Sequence, residues 1–141
     1  MLNNVDPTRA QFDEFKGLPR DIPIMMLNLI KFRAQAAYPN GETVTGAEAY
    51  KNYERESLSI FLRVGGQIIW RGKPEGVLIG PLEERWDIAF IARYPTAGSF
   101  LEMLTDEHYK LAVVNRQVAV DDSRLIRMGE ADITEGFGGS I

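Results

Sequence analysis

Two segments of this chain are apolar at nearly every position, and they limit the folds open to it more than any other feature. PIMMLNLIKF at 23–32 and WDIAFIARY at 86–94 lack the alternation of apolar and polar residues that marks a strand with one face in water. Both are rich in strand-forming residues, and both read as central strands covered on each side. A sheet with two such strands needs a layer on each of its faces.

The remaining elements follow from local signals. Asp6 followed by Pro7 reads as an N-cap and first helical position, and Gly17 with Pro19 as a stop, which predicts a short helix over 7–16. Residues 33–43, with Pro39-Asn40-Gly41, read as a loop. Thr45-Gly46-Ala47-Glu48 is a capping box, a hydroxyl at the N-cap with a carboxylate three residues on. The helix it opens carries Tyr50, Tyr53, Ser57, Leu58, Phe61 and Leu62 at three- and four-residue steps, one core-facing stripe running to Val64, and Gly65-Gly66 ends it. Residues 67–71 read as a strand, 77–79 as its continuation, and Gly80-Pro81 as the next turn. Pro95-Thr96 opens a second helical region, with recapping at Thr105 or Asp106, and SRLIRM at 123–128 is the last strand. Residues 129–141 are glycine-rich and aperiodic and read as a flexible tail.

The order is therefore a helix followed by β-α-β-β-α-β, the α+β ferredoxin-like plan, in which an antiparallel sheet has both main helices on one face and its first and third strands in the middle. Residues 1–141 read as one domain with its core over about 7–128. A chain of 141 residues is long enough to bury one core without staples. The helices cover one side of the sheet. What is left of the chain is too short to cover the other, and an exposed apolar face of that size exceeds what a monomer tolerates, so a homodimer is expected, with a ligand space between the two facing sheets. A monomer whose N-terminal helix and 33–43 loop fold over the bare face is the competing arrangement.

Composition removes many functions. The chain has no cysteine, hence no disulfide, thiolate metal site or cysteine nucleophile. Its single histidine argues against zinc. Sixteen basic residues against 20 acidic ones give a net charge of −4 without a basic stripe, so nucleic acid is not an expected partner. The longest apolar run, 22–30, is broken by Pro23 and Asn28 and falls short of a membrane span, and with no signal-type N-terminus a soluble, cytoplasmic protein is expected. No P-loop, dinucleotide fingerprint or nucleophile motif occurs, and no cofactor is expected.

Five residues stand out as candidates for a site. Asn28 is the neutral polar residue within an apolar strand and needs a partner, whether a neighbouring loop or a ligand carbonyl or hydroxyl. Trp70 is read either as core or interface or, on a half-exposed strand, as a ligand platform. Arg116 interrupts the apolar stripe of Tyr109, Ala112, Val113 and Ala119; the preferred reading ties it to a carboxylate, Asp87, Asp121 or Asp122, as a structural ion pair, and the functional one makes it the anchor of a carboxylate ligand. Arg93, at a strand end beside Tyr94, would add a second charge at the same mouth. His108 alone has an unperturbed pKa suited to proton transfer near neutrality, so it is the candidate catalytic base, set against a solvent-exposed helix start.

LNLIKFR at 27–33, GGQIIWRG at 65–72, IGP at 79–81 with Trp86-Asp87, ARYP at 92–95 and DSRLI at 122–126 together resemble the bacterial domain of unknown function 1330 family, over about residues 7 to 128. That family lies in the dimeric α+β barrel superfamily, so the resemblance implies a ferredoxin-like protomer and a face-to-face dimer. It implies no reaction. Relatives elsewhere in the superfamily include cofactor-free monooxygenases, lactone isomerases, dye-type peroxidases and chlorite-degrading haem proteins. His108, beside Asp106 and Glu107, lacks a haem setting. The expected function is a homodimeric small-molecule-binding protein, in its enzymatic form a cofactor-independent one of monooxygenase or isomerase type, acting on an organic acid or aromatic metabolite. The alternative is a non-catalytic structural or interaction module with no ligand pocket.

Overall fold

The computed structural model describes residues 3–139. Its elements run α1 (Arg9–Gly17), β1 (Ile24–Phe32), β2 (Ala36–Ala37), β3 (Thr43–Val44), α2 (Gly46–Arg63), β4 (Gln67–Gly72), β5 (Ile88–Tyr94), α3 (Ala97–Thr105), α4 (Glu107–Ala119) and β6 (Val120–Met128). The main sheet has the order β4-β5-β1-β6, with antiparallel neighbours throughout. The two apolar strands are the central pair, as the ferredoxin-like plan requires.

The register separates the two faces. Alternate residues of a strand point to opposite sides, and residues paired across an antiparallel ladder share a side. Met26 pairs with Ala92 and Asn28 with Phe90, which puts these four on one face with Ile24, Ile30 and Tyr94. Ile24, Met26, Ala92 and Tyr94 cluster there with Ile60 of α2, Met103 of α3 and Tyr109 of α4, so this is the helix side. A second cluster joins Ile30 and Val120 of the sheet to Ala49 of α2 and Ala119 of α4. The small residues let the helices approach at this end.

Helix ends follow their caps. Thr45 Oγ1 accepts the Glu48 N–H at 3.1 Å, as the capping box predicts. Gly65, with φ of 88°, ends α2. Asp106 caps α4 by accepting the N–H groups of His108 and Tyr109 at 2.8 and 3.1 Å.

Local expectations are corrected at several points. The cap of α1 is Thr8, whose Oγ1 accepts the Gln11 N–H at 3.1 Å, whereas the Asp6 carboxylate is engaged by Gln117 Nε2. Within 33–43, β2 and β3 form a short hairpin, with Gly41 at φ of 91° in its turn. Residues 77–79 do not extend β4: pairing stops at Gly72, Pro74 brings no N–H to a ladder, and Leu78 and Ile79 are 97% and 93% exposed. On α2, Leu58 and Leu62 face outward while Ala49, Ser57 and Ile60 are buried. The last strand begins at Val120 rather than Ser123, directly out of α4. Residues 129–138 are exposed and include a 3₁₀ turn at Ile133–Glu135, and positions 140 and 141 of the expected tail lie outside the described residues.

Candidate functional site

The helices stand off the middle of the sheet and leave a cleft of about 850 Å³, within the range of small-molecule sites. Its floor is the helix side of the sheet, including Met26, Asn28, Phe90 and Ala92. Its roof is α2 and α4, through Tyr50, Tyr53, Ser57, Tyr109, Val113 and Arg116. Phe12 and Phe15 of α1 close one end, with the Phe15 ring 5.4 Å from that of Phe100. The space is thus inside one protomer, between sheet and helices, on the opposite side of the sheet from the space expected between two facing sheets. The reason is volumetric. Large aromatic side chains project from both layers at the centre, whereas at the other end the helices bring only Ala49 and Ala119 against Ile30 and Val120 of the sheet.

Arg116 reaches this cleft from the third turn of α4, and the anticipated ion pair is not there. Its Nη1 donates to the Val5 carbonyl and its Nη2 to Ser123 Oγ at 3.2 Å. Asp87 instead accepts the Phe32 N–H at 2.7 Å. Asp122 takes Arg124 Nη1 at 3.0 Å and the Asn4 backbone N–H at 3.0 Å. Burial raises Asp122, but the donors from Asn4, Arg124 and Ser123 outweigh it and hold the carboxyl below its usual range. Sequence alone does not place the N-terminal segment beside Arg116, so it gives no reason to prefer a backbone carbonyl over an aspartate. Among the described residues Arg116 has no carboxylate partner.

Asn28 lines the cleft, and its Nδ2 donates to the Met26 carbonyl at 3.1 Å, leaving Oδ1 without a protein partner among the described residues. The other candidates lie elsewhere. Trp70 pairs with Ile91, which puts it on the opposite face of the sheet, 55% exposed. Arg93, paired with Met25 and Gln67, shares that face. His108 is exposed on the first turn of α4 and does not line the cleft. The structure therefore joins Asn28 and Arg116 and separates both from Trp70, Arg93 and His108.

Three tyrosines that the sequence reading leaves in apolar helix stripes, Tyr50, Tyr53 and Tyr109, belong to the cleft, together with Tyr94, whose phenol it sets beside Arg93. Tyr53 and Tyr109 share a hydrogen bond between their hydroxyls at 2.7 Å. The Tyr50 ring stacks obliquely between Phe32 and Tyr53, at 5.3 and 5.4 Å. Tyr94 completes the aromatic wall. Burial drives the pKa of all four phenols above the ordinary range, and Arg116 pulls back those of Tyr50, Tyr53 and Tyr109, so the guanidinium is felt at each of these three. The available signal was chemical: Tyr50, Tyr53 and Tyr109 are large side chains with a polar tip, and such tips need partners when buried. Among the described residues no group of His, Asp or Glu is arranged to hold a metal ion.

An antiparallel sheet backed on one face by its helices, with an aromatic cleft between the two and a cation in the cleft wall, defines a ferredoxin-like α+β protein. The comparisons agree with the fold. Residues 40–130 match the family described as domain of unknown function (DUF1330), and the chain belongs to that family. It is similar to the RPA0582 protein of unknown function from Rhodopseudomonas palustris, at 47% identity over 93% of this chain and 99% of that one, with a TM-score of 0.88. A methylated form of the RPA0582 protein gives 48%, 94%, 98% and 0.90. The fold is also that of SnoaB, a cofactor-independent oxygenase from Streptomyces nogalater, at 12% identity over 79% of this chain and 95% of that one, with a TM-score of 0.51. No curated protein matches the chain. Among the described residues no helix is long and apolar enough to cross a membrane.

Proposed function

We propose that the chain is a homodimeric small-molecule-binding protein whose ligand is an aromatic organic acid held in the cleft between sheet and helices. The observation that carries this is Arg116: a half-buried guanidinium on the wall of an apolar cleft, satisfied by neutral oxygens and with no carboxylate partner among the described residues. A cation so placed favours a ligand that supplies the missing charge. Phe12, Phe15, Phe32 and Phe90 offer a surface for an aromatic body. In its enzymatic form the reading is cofactor-independent turnover of that ligand. SnoaB, described as a cofactor-independent oxygenase, is a precedent for such chemistry on this fold, by analogy of fold alone. The open cleft favours this reading over a module with no pocket.

Thermal shift with benzoate and with neutral benzamide tests it. At a hundredfold excess over Kd a ligand stabilises by about 2.7 kcal/mol, a rise of several degrees in Tm. Benzoate is expected to raise the Tm of wild type and not that of Arg116→Gln. Equal shifts with benzamide, or none with any of a panel of aromatic acids, would overturn the reading.

The dimer rests on the second sheet face. Leu27 and Leu29 of β1, Ile91 of β5, Trp70 of β4 and Ile126 of β6 share it by register. Nothing in the described chain covers Trp70 or Ile126, which are 55% and 46% exposed. A second copy presenting the same patch is the self-complementary cover.

A further inference from the structure

Among the described residues, two of the three hydroxyl protons on the phenols near Arg116 go to no protein acceptor. Tyr53 and Tyr109 carry one hydroxyl proton each, and their mutual bond uses one of the two. The other has no acceptor among the described residues, and neither does the hydroxyl proton of Tyr50. Of the polar neighbours, Ser57 Oγ donates to the Tyr53 carbonyl at 2.7 Å and Asn28 Nδ2 to the Met26 carbonyl at 3.1 Å, and neither is bonded to a tyrosine hydroxyl. Among the described residues no tyrosine hydroxyl is both fully buried and unpartnered, so the spare protons open onto the cleft that all three tyrosines line. They are therefore available to an acceptor brought by the ligand.

We propose that Tyr50 and the Tyr53–Tyr109 pair, with Arg116, form an oxyanion-holding donor set that takes phenols or enols as their anions. This rests on the cleft being a ligand site, and it adds a second ligand class to the aromatic acids. The charged groups facing the phenols are Arg116 from α4, Lys51 and Glu54 from α2, Arg71 from β4, Asp6 from the N-terminal segment and Arg124 from β6. Cations outnumber carboxylates, Arg124 alone of them being paired with Glu84 and Asp122. The field in the cleft thus favours negative charge on a bound oxygen. Burial keeps the protein's own phenols protonated, which makes them donors and not bases. The balance is simple: the ligand's O–H bond breaks, its electron pair stays on the ligand oxygen, and the proton passes to solvent at the open mouth of the cleft. An enolate or phenolate held in this way is electron-rich at carbon.

The test follows the visible absorbance of 4-nitrophenolate as a function of pH, with and without excess protein, alongside benzoate binding as a separate control. Bound 4-nitrophenol is expected to ionise about tenfold or more strongly than free, a downward shift of about one pKa unit or more. Tyr50→Phe and Tyr109→Phe are each expected to lose part of that shift, and the double variant most of it, while His108→Ala, outside the cleft, keeps it. If the double variant does not fold, the two singles carry the same comparison. An unshifted midpoint for bound nitrophenol, or a shift retained in both singles, overturns the donor set while Arg116-dependent benzoate binding leaves the cleft reading standing. Absence of binding by both probes overturns the two together.

Discussion

A methyl group at Gly46 would overlap the Arg33 carbonyl oxygen and lie 2.9 Å from the carbonyl oxygen of Ala119, where α2 starts against the end of α4. Both obstacles are backbone and neither can swing away. Gly46→Ala is therefore expected to destabilise the fold by about 1–3 kcal/mol, read as a lower midpoint in chemical denaturation with unchanged slope. Arg116 carries the opposite lesson at the same scale. An arginine amid Tyr109, Ala112, Val113 and Ala119 announces itself in sequence as a charge needing a partner, and it was legible to that extent. Which oxygen answers it depends on residues 4–5 and 123, brought together from opposite ends of the chain. Tyr50 and Tyr53 were visible only as one side of a helix, because periodicity reports that a face is buried and not whether side chains or open space lie beneath it.

At the scale of elements, α2 and α4 are held by their caps and by each other. Thr45→Ala removes the acceptor for the Glu48 N–H and is expected to cost about 1 kcal/mol, a fall in Tm of roughly 2–4 °C. Asp106 does more, since it caps α4 and also meets Arg63 Nη2 of α2 at 2.8 Å. The N–H groups of Tyr109 and His108, with Arg63 behind them, hold its carboxyl below the ordinary value of 3.8. A group depressed in the folded state contributes stability above its unfolded pKa and loses it as the pH falls through the folded one. Melting curves followed from neutral pH down into the acid range should show a loss that begins near that ordinary value. Asp106→Asn, which keeps a capping side chain but cannot titrate, should lose that component of the acid dependence and start from a lower Tm at neutral pH. His108 sits on this turn as an exposed residue, so its replacement by alanine is expected to leave benzoate binding unchanged in the same thermal-shift assay.

The whole molecule presents two apolar sheet faces with different fates. One is roofed by its own helices at a distance that leaves the cleft. The other, with Leu27, Leu29, Ile91, Trp70 and Ile126, is left to a second copy in the proposed dimer. Trp70→Glu would place a charge within that contact and is expected to yield a protomer by sedimentation velocity; a wild-type protein that sediments as a protomer at working concentration would remove the dimer altogether. The same assay locates the ligand site, because a cleft internal to one protomer should still bind benzoate in Trp70→Glu.

The amino-acid sequence by itself determined the order of elements, the central position of β1 and β5, the Thr45 cap and the Gly65 stop, because each rests on short-range sterics, hydrogen bonding or the period of burial. It also set the expectation that the sheet would need cover on both sides. The spacing between layers was decided only in three dimensions. Alanines at one end and aromatic rings at the centre set how far α2 and α4 stand from the sheet, and that distance is a sum over residues far apart in the chain. Hence the cleft, the Val5 and Ser123 oxygens on Arg116, and the three phenols with protons to spare are properties of the packed molecule.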